Sequence, residues 1–247
     1  MSAADSPFET ITFEKRQGIA YLTLNRPRAL NAYNVKMRDE IWQALSAMRD
    51  DDELRVCVLA GAGERAFCAG ADLSEFGTAP SRVIARRVRF ERDVWGLWLG
   101  LPQPFIAALH GFVLGSGIEM ALCCDLRVAS DDAQFGLPEI GLGMIPAAGG
   151  TQTAPRVMGR AAALEFMLLG ERVGAAEALR IGLVQRVVPR SALPPTVEAM
   201  AQRIAALEPS AVRAAKEAVR RGLDLRLDEG LALESRLAAM VRAGRRE

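Results

Sequence analysis

Two carboxylates and two glycine-rich stretches are the residues of this chain best suited to chemistry. Glu119 lies three residues after Ser116, about one helical turn along. Glu139 lies in Leu137-Pro138-Glu139-Ile140-Gly141-Leu142-Gly143, an apolar and glycine-flanked segment. A carboxyl in apolar surroundings keeps its proton toward neutrality because burial penalises the charged form, so it can hold or deliver a proton in a reaction. Two carboxylates beside one apolar pocket can grip a water and share its proton. Each also has a structural reading. Glu119 could serve the positive end of a helix dipole, and Glu139 could be a capping or loop acid.

The glycine-rich stretches are Ala66-Phe67-Cys68-Ala69-Gly70-Ala71-Asp72-Leu73 and His110-Gly111-Phe112-Val113-Leu114-Gly115-Ser116-Gly117-Ile118-Glu119. Neither fits a phosphate-binding loop of the GxxxxGK[ST] kind or a strand-linked GxGxxG. Each follows a strand and leads toward a helix. Small residues there let backbone N–H groups approach a ligand, and a helix N-terminus presents unpaired donors and a partial positive charge. Two such N–H groups facing one oxygen form an oxyanion hole. A pair of tight turns is the alternative reading of the same glycines.

Other catalytic arrangements are poorly supplied. His110 is the only histidine, so sites needing two histidines are excluded, and no GxSxG elbow supports a Ser-His-Asp triad. It reads as a strand-end structural residue. Cys57, Cys68, Cys123 and Cys124 have neither CxxC nor zinc-cluster spacing and read as reduced, small hydrophobes; no metal site is expected. Trp95 and Trp98 read as core or pocket wall.

The elements that must position these groups alternate in the first part of the chain. Ile11–Phe13 and Ile19–Leu24 read as strands around a Gln17-Gly18 turn. After Asn34, Val35, Met37, Ile41, Trp42, Leu45 and Met48 share a helical face. Val56–Ala60, Pro104–Leu109, Leu126–Ala129 and Gln134-Phe135 read as strands, a helix opens at Gly115, and 81–99 reads as one long helix with Ile84, Val88, Trp95 and Trp98 on its apolar side. Strand–helix alternation implies parallel or mixed pairing with crossover helices. Beyond about Ala147 the pattern is mainly helical, interrupted by a strand over Val184–Val188. The resulting fold class is α/β, followed by a helical C-terminal region.

The chain has 247 residues, half of them hydrophobic and a quarter charged, which suits one large globular domain. A formal net charge of +1 gives no reason to expect nucleic acid or an anionic membrane as partner. Lys15, Lys36 and Lys216 are the only lysines, and arginine supplies the other basic residues. Residues 1–10 have neither the basic region nor the apolar run of a secretory signal, and no segment has the length of a membrane span, so a cytoplasmic location is expected.

Several blocks together resemble the crotonase (enoyl-CoA hydratase/isomerase) family. Asn25-Arg26-Pro27-Arg28-Ala29-Leu30-Asn31-Ala32 is similar to its first motif, Ala66 to Leu73 to the second, His110 to Asp125 to the third, and Phe135 to Gln152 to the fourth. Ala175-Ala176-Glu177-Ala178 through Gly182-Leu183-Val184 is similar to a further segment. The resemblance implies a spiral of ββα units over 1–190 and a helical trimerisation region over 191–247. It implies a homotrimer or a dimer of trimers, an acyl-CoA thioester substrate, and no cofactor besides the coenzyme A carried by that substrate. It assigns Glu119 and Glu139 as catalytic and the N–H groups of Ala71 and Ser116 as the oxyanion hole. Arg28, Ala29, Leu30, Ala69, Gly70, Asp72, Leu73 and Gly115 would bind CoA or substrate. The helix over 81–99, with its tryptophans and Phe90, would wall the acyl pocket.

Having both glutamates implies a hydratase of the fatty-acid β-oxidation type. A double-bond isomerase, using Glu139 alone, is the alternative within the family. An RNA-binding relative with a basic face at Arg86–Arg92 or Arg242–Arg246 is the alternative outside enzymology. The sequence departs from the resemblance in two places. Gly115-Ser116-Gly117 stands where three glycines are common, and Arg245-Arg246-Glu247 comes short of a usual C-terminal tail.

Overall fold

A computed structural model describes residues 8–244, leaving aside the side chains of Ala85, Val88, Arg89 and Phe90. The expected apolar side at Val88 and pocket wall at Phe90 therefore lie outside the described residues, as do Arg89 of one expected basic face and residues 245–247, part of the other.

The chain opens with a hairpin of β1 (Ile11–Arg16) and β2 (Ile19–Leu24), paired antiparallel. Its two turn residues, Gln17 at φ 51° and Gly18 at φ 74°, are both left-handed, which matches the twist of the flanking strands. α1 (Val35–Arg49) starts where Asn34 Oδ1 accepts the Met37 N–H at 2.9 Å. It buries Met37, Ile41, Leu45 and Met48 along one face.

Three turns of a spiral follow. Each lays one strand in a large sheet, one in a small sheet, and then passes into helix. The first is β3 (Val56–Gly61), β4 (Ala66–Cys68), α2 (Arg82–Phe90) and α3 (Val94–Gly100). The second is β5 (Phe105–Leu109), β6 (Phe112–Leu114) and α4 (Ser116–Cys123). The third is β7 (Leu126–Ser130) and β8 (Gln134–Gly136), leading to α5 (Gly150–Met158) and α6 (Arg160–Leu169). After β9 (Val173–Gly174) and α7 (Ala175–Arg180), β10 (Arg186–Val188) returns to the large sheet. α8 (Leu193–Ala205), α9 (Pro209–Gly222) and α10 (Leu227–Ala243) complete the chain.

The large sheet runs β1-β2-β3-β5-β7-β10 and the small one β4-β6-β8-β9. Strands of successive turns pair parallel in both sheets: β3 with β5 and β5 with β7, and β4 with β6 and β6 with β8. This repetition is the spiral of ββα units expected from the resemblance.

Every residue of α4 is buried. The side chains of Trp98, Phe67, Phe105 and Phe135 are fully buried around it and α1, each worth roughly 1.5–3 kcal/mol of transfer free energy. α8 covers the opposite face of the large sheet, packing Leu193, Val197 and Ala201 on Ile19, Val56, Ile106 and Val128.

The expected single helix over 81–99 is two helices, with Glu91 to Asp93 between them. Asp93 ends the run because its Oδ1 accepts the Gly96 N–H at 2.8 Å and so starts a new helix. Trp98 lies in the core, while Trp95 is half-buried against Tyr33 with ring centroids 5.6 Å apart.

The N-terminal segment is tied to α1 by one buried carboxylate. Glu40 accepts the Glu9 N–H at 3.0 Å and the Thr10 N–H at 2.8 Å, and also the Thr10 hydroxyl. Burial opposes ionisation of Glu40, but these donors outweigh it and hold the carboxyl below its ordinary range. A depressed carboxyl stabilises the fold above its unfolded-state pKa and loses that contribution as pH falls through its folded value. Glu40→Gln is expected to cost about 2 kcal/mol at pH 7 in chemical denaturation. Its deficit against the wild type should shrink below about pH 4. An unchanged deficit at both pH values would refute the assignment.

Candidate active site

The site forms where the second spiral turn crosses the first. Gly115, at φ 51° and ψ −122°, turns the chain from β6 into α4, a conformation that favours glycine. Its N–H bonds to the Gly136 carbonyl at 2.9 Å, and its carbonyl accepts the Glu119 N–H at 3.1 Å. Two residues on, Gly117 lies against β4: a Cβ there would stand 2.5 Å from the Cys68 carbonyl oxygen. Only glycine lets α4 approach β4 so closely.

Gly70, at φ 107°, is the counterpart of Gly115 on the first turn. The two glycines meet back to back, so that a Cβ on Gly115 would lie 3.4 Å from the Gly70 Cα. Each immediately precedes a candidate oxyanion donor. Tyr33 forms a parallel bridge with Ala71, donating to the Gly70 carbonyl and accepting from the Asp72 N–H, both at 2.8 Å. That pattern directs the Ala71 N–H away from Tyr33. The Ser116 N–H occupies the first position of α4. Neither N–H has a hydrogen-bond partner among the described residues.

Glu119 is 3% exposed. Its Oε1 accepts the N–H groups of Ala148 at 2.7 Å and Gly150 at 3.0 Å. It therefore clamps the start of α5 to α4, which goes beyond the helix-dipole role open to it in sequence. Glu139 sits in a 3-10 turn, Pro138–Leu142. A Cβ on Gly115 would lie 3.0 Å from its Oε1, which puts the carboxyl directly over the entry to α4. Its Oε2 is buried with no hydrogen-bond partner among the described residues. Burial raises its pKa above the ordinary carboxyl range.

The remaining candidates are spread around this centre. Leu30, left-handed at φ 52°, accepts the Ala69 N–H at 3.0 Å and so brings the first motif against the second. Arg28 and Ala29 are exposed on the turn before it. Arg28 lines a cavity of about 360 Å³ with Pro27, Gly63 and Arg65. Asp72 caps the turn Leu73–Glu75 through the Ser74 N–H and pairs with Arg26 at 2.9 Å. Ser74 and Arg26 hold its carboxyl low. Leu73 is exposed beside it.

Sequence reasoning did not single out Tyr33, nor the Ala148 and Gly150 amides. The signal for the amides was the Gly149-Gly150 pair inside the fourth motif. A Cβ on Gly150 would lie 2.8 Å from the Pro146 Cβ and 3.0 Å from Glu119 Oε1. His110 is buried at the end of β5, and burial drops its pKa to about 4, so it is neutral at physiological pH. Burial pushes the Cys68 and Cys123 thiols up to about 12.

Comparison with known proteins agrees with this architecture. The family model described as "Enoyl-CoA hydratase/isomerase" matches residues 14–244. A Bacillus subtilis (strain 168) protein assigned to the enoyl-CoA hydratases/isomerases, YngF, is 44% identical over 222 residues, which are 90% of this chain and 85% of that protein. The crotonyl-CoA hydratase of Syntrophomonas wolfei is 37% identical over 228 residues, covering 92% of this chain and 88% of its own. The crystal structure of an enoyl-CoA hydratase from Bacillus anthracis superposes with a TM-score of 0.89 at 38% identity, over 94% of this chain and 90% of that one. With a family model spanning nearly its whole length and relatives covering both partners almost completely, the chain belongs to the enoyl-CoA hydratase/isomerase family.

Proposed function

We propose that the protein is an enoyl-CoA hydratase, adding water reversibly across the C=C bond of a 2-enoyl-CoA thioester. The observation that carries the reading is the meeting of Gly70 with Gly115 beneath Glu139: it sets two unpaired N–H groups and a carboxyl of raised pKa around one short stretch of backbone. Relatives bearing hydratase names, such as the short-chain-enoyl-CoA hydratase of Clostridium acetobutylicum at 39% identity, support it.

In this mechanism the thioester oxygen sits between the N–H groups of Ala71 and Ser116. They polarise the carbonyl, make the β-carbon electrophilic and stabilise the charge that moves onto oxygen. A water held by Glu119 and Glu139 attacks the β-carbon. Glu139 gives its proton to the α-carbon and recovers one from the attacking water, so the net change is H at the α-carbon and OH at the β-carbon. Its raised pKa suits a group that must be protonated before it donates. The addition is redox-neutral and calls for no redox cofactor, and in this reading the two N–H groups supply the carbonyl polarisation. Coenzyme A enters as part of the substrate, along Arg28, Ala29, Leu30, Ala69, Gly70, Asp72, Leu73 and Gly115.

A homotrimer or dimer of trimers belongs to the same reading, with 1–190 as the catalytic core and 191–247 as the helical region that packs subunits. Val219, Leu223, Leu227, Leu231 and Met240 on α9, α10 and their connection are exposed and offer apolar surface for that assembly. Among the described residues no helix is long and apolar enough to cross a membrane. A place in cytoplasmic fatty-acid β-oxidation completes the reading.

A panel of 2-enoyl-CoA thioesters, followed by loss of the conjugated-thioester absorbance, tests the function. Glu139→Gln and Glu119→Gln are each expected to lower kcat by about 10²–10⁴. Double-bond migration as the main activity of the wild type, largely surviving in Glu119→Gln, would move the protein to the isomerases. A second test uses stability. A carboxyl whose folded pKa is raised destabilises the fold as pH climbs from its unfolded toward its folded value. Glu139→Gln should therefore melt higher than the wild type at pH 7, with the gap closing toward pH 4. A lower melting point at pH 7 would mean that the buried carboxylate is not under strain.

A further inference from the structure

We propose that the side-chain hydroxyl of Ser116 is a third donor to the thioester oxygen, beside the N–H groups of Ala71 and of Ser116 itself. This rests on the hydratase reading and deepens it. In the triplet Gly115-Ser116-Gly117 the outer positions disfavour a side chain: Gly115 is left-handed at φ 51°, and a Cβ on Gly117 would meet the Cys68 carbonyl at 2.5 Å. The middle position is the one that carries a side chain, and that side chain is polar.

Ser116 is 8% exposed, and its hydroxyl has no hydrogen-bond partner among the described residues. It does not cap α4, since Gly115 is the N-cap and no side-chain cap bond forms. Its Oγ is not among the fully buried atoms, so the donor can be reached by a ligand lying over the N-terminus of α4. Ser116 and Glu119 stand three residues apart on α4 and so share a helix face. The Ser116 side chain thus leaves α4 on the face that also carries Glu119, from the residue whose own N–H is unpaired. A serine at the first position of a helix can offer both its N–H and its O–H to one anionic oxygen. The donated proton stays on Oγ, and the bond strengthens as charge builds on the thioester oxygen.

The test compares the wild type with Ser116→Ala and Ser116→Gly in two assays. The first is hydration of crotonyl-CoA. Loss of a backbone oxyanion donor costs about 10²–10³ in kcat, and both variants should lose at least about tenfold while KM stays within about threefold. The second is binding of acetoacetyl-CoA, whose enolate absorbs in the near ultraviolet, against butyryl-CoA, which forms no such enolate. Both variants should weaken the enolate band and leave butyryl-CoA affinity unchanged.

Wild-type kcat and an unaltered band in both variants would overturn the proposal. So would an equal loss of affinity for both thioesters, which would mark Ser116 as a shape-filling residue. If the wild type hydrates no enoyl-CoA yet binds acetoacetyl-CoA as the enolate, the hydratase reading falls and the band alone decides the role of the hydroxyl. If acetoacetyl-CoA does not bind at all, both fall.

Discussion

The contact on which the site depends is the backbone-to-backbone approach of α4 to β4 at Gly117 and Cys68. It is steric in origin: with a Cβ in that gap, α4 would have to slide away from the small sheet, because a carbonyl cannot yield as a flexible side chain can. The approach fixes the height of α4 above Cys68-Ala69-Gly70, and thereby the distance between the two chain reversals at Gly70 and Gly115. It also leaves the N-terminus of a fully buried helix short of acceptors. Unpaired buried donors each cost about 1–3 kcal/mol, so the fold holds this end of α4 in a state that an anionic oxygen would relieve. In the proposed mechanism that oxygen is the one of the thioester.

The two carboxyls receive opposite treatment from the same backbone. Glu119 is given the amides of Ala148 and Gly150, which lock its position and couple α4 to α5. Glu139 is half-buried, with Oε2 enclosed and without a partner among the described residues, and is held over Gly115 by a short 3-10 turn. That turn begins with Pro138, whose fixed φ suits a helical start, and ends at left-handed Gly143. The difference follows from the elements that carry them. A helix interior points Glu119 at a neighbouring loop whose amides are free to bend toward it. The tight turn leaves Glu139 partly desolvated, and that burial raises its pKa.

The alternation of strands and helices was legible in the sequence pattern, whereas the spiral came from the resemblance of the ordered motif blocks to the family. The reversals themselves contain strands of only three residues, β4 and β6, too short for any periodicity to register. They are strands because they pair with each other in a second sheet, which is a tertiary fact. The break at Asp93 was hidden for a related reason. Apolar residues continue at helical spacing through Trp95 and Trp98, and only the capping geometry of one aspartate interrupts them. At the candidate site, Glu119 and Glu139 could be named from the sequence as candidates. The amides that hold Glu119 could not, since a backbone donor carries no side-chain signature. Asp72 shows the same limit: its bonds to Arg26 and Ser74 depend on a fold-back that spacing alone does not reveal.

The C-terminal helices are keyed to this centre through a buried lysine in a chain that otherwise favours arginine. Lys216 of α9 donates to the Gln103 carbonyl at 2.7 Å and to Asp125 at 2.8 Å, with its ammonium 5.5 Å from the centre of the Phe105 ring. Burial lowers its affinity for a proton, with Asp125 acting against that loss. Asp125 also accepts the Phe105 N–H at 2.7 Å and lies just beyond the C-terminal end of α4. One carboxylate therefore joins the start of β5, the end of α4 and the middle of α9. A compact ammonium with three donors in a tetrahedral spread fits this corner, whereas a planar guanidinium would need room along one edge. An ion pair so little exposed adds modest net stability, because desolvation offsets most of its attraction, but breaking it leaves a charge stranded. Its main effect is on register. It pins the middle of α9 to the corner between the start of β5 and the end of α4, so the apolar surface that α9 and α10 present is set relative to the helix whose other end carries Ser116 and Glu119.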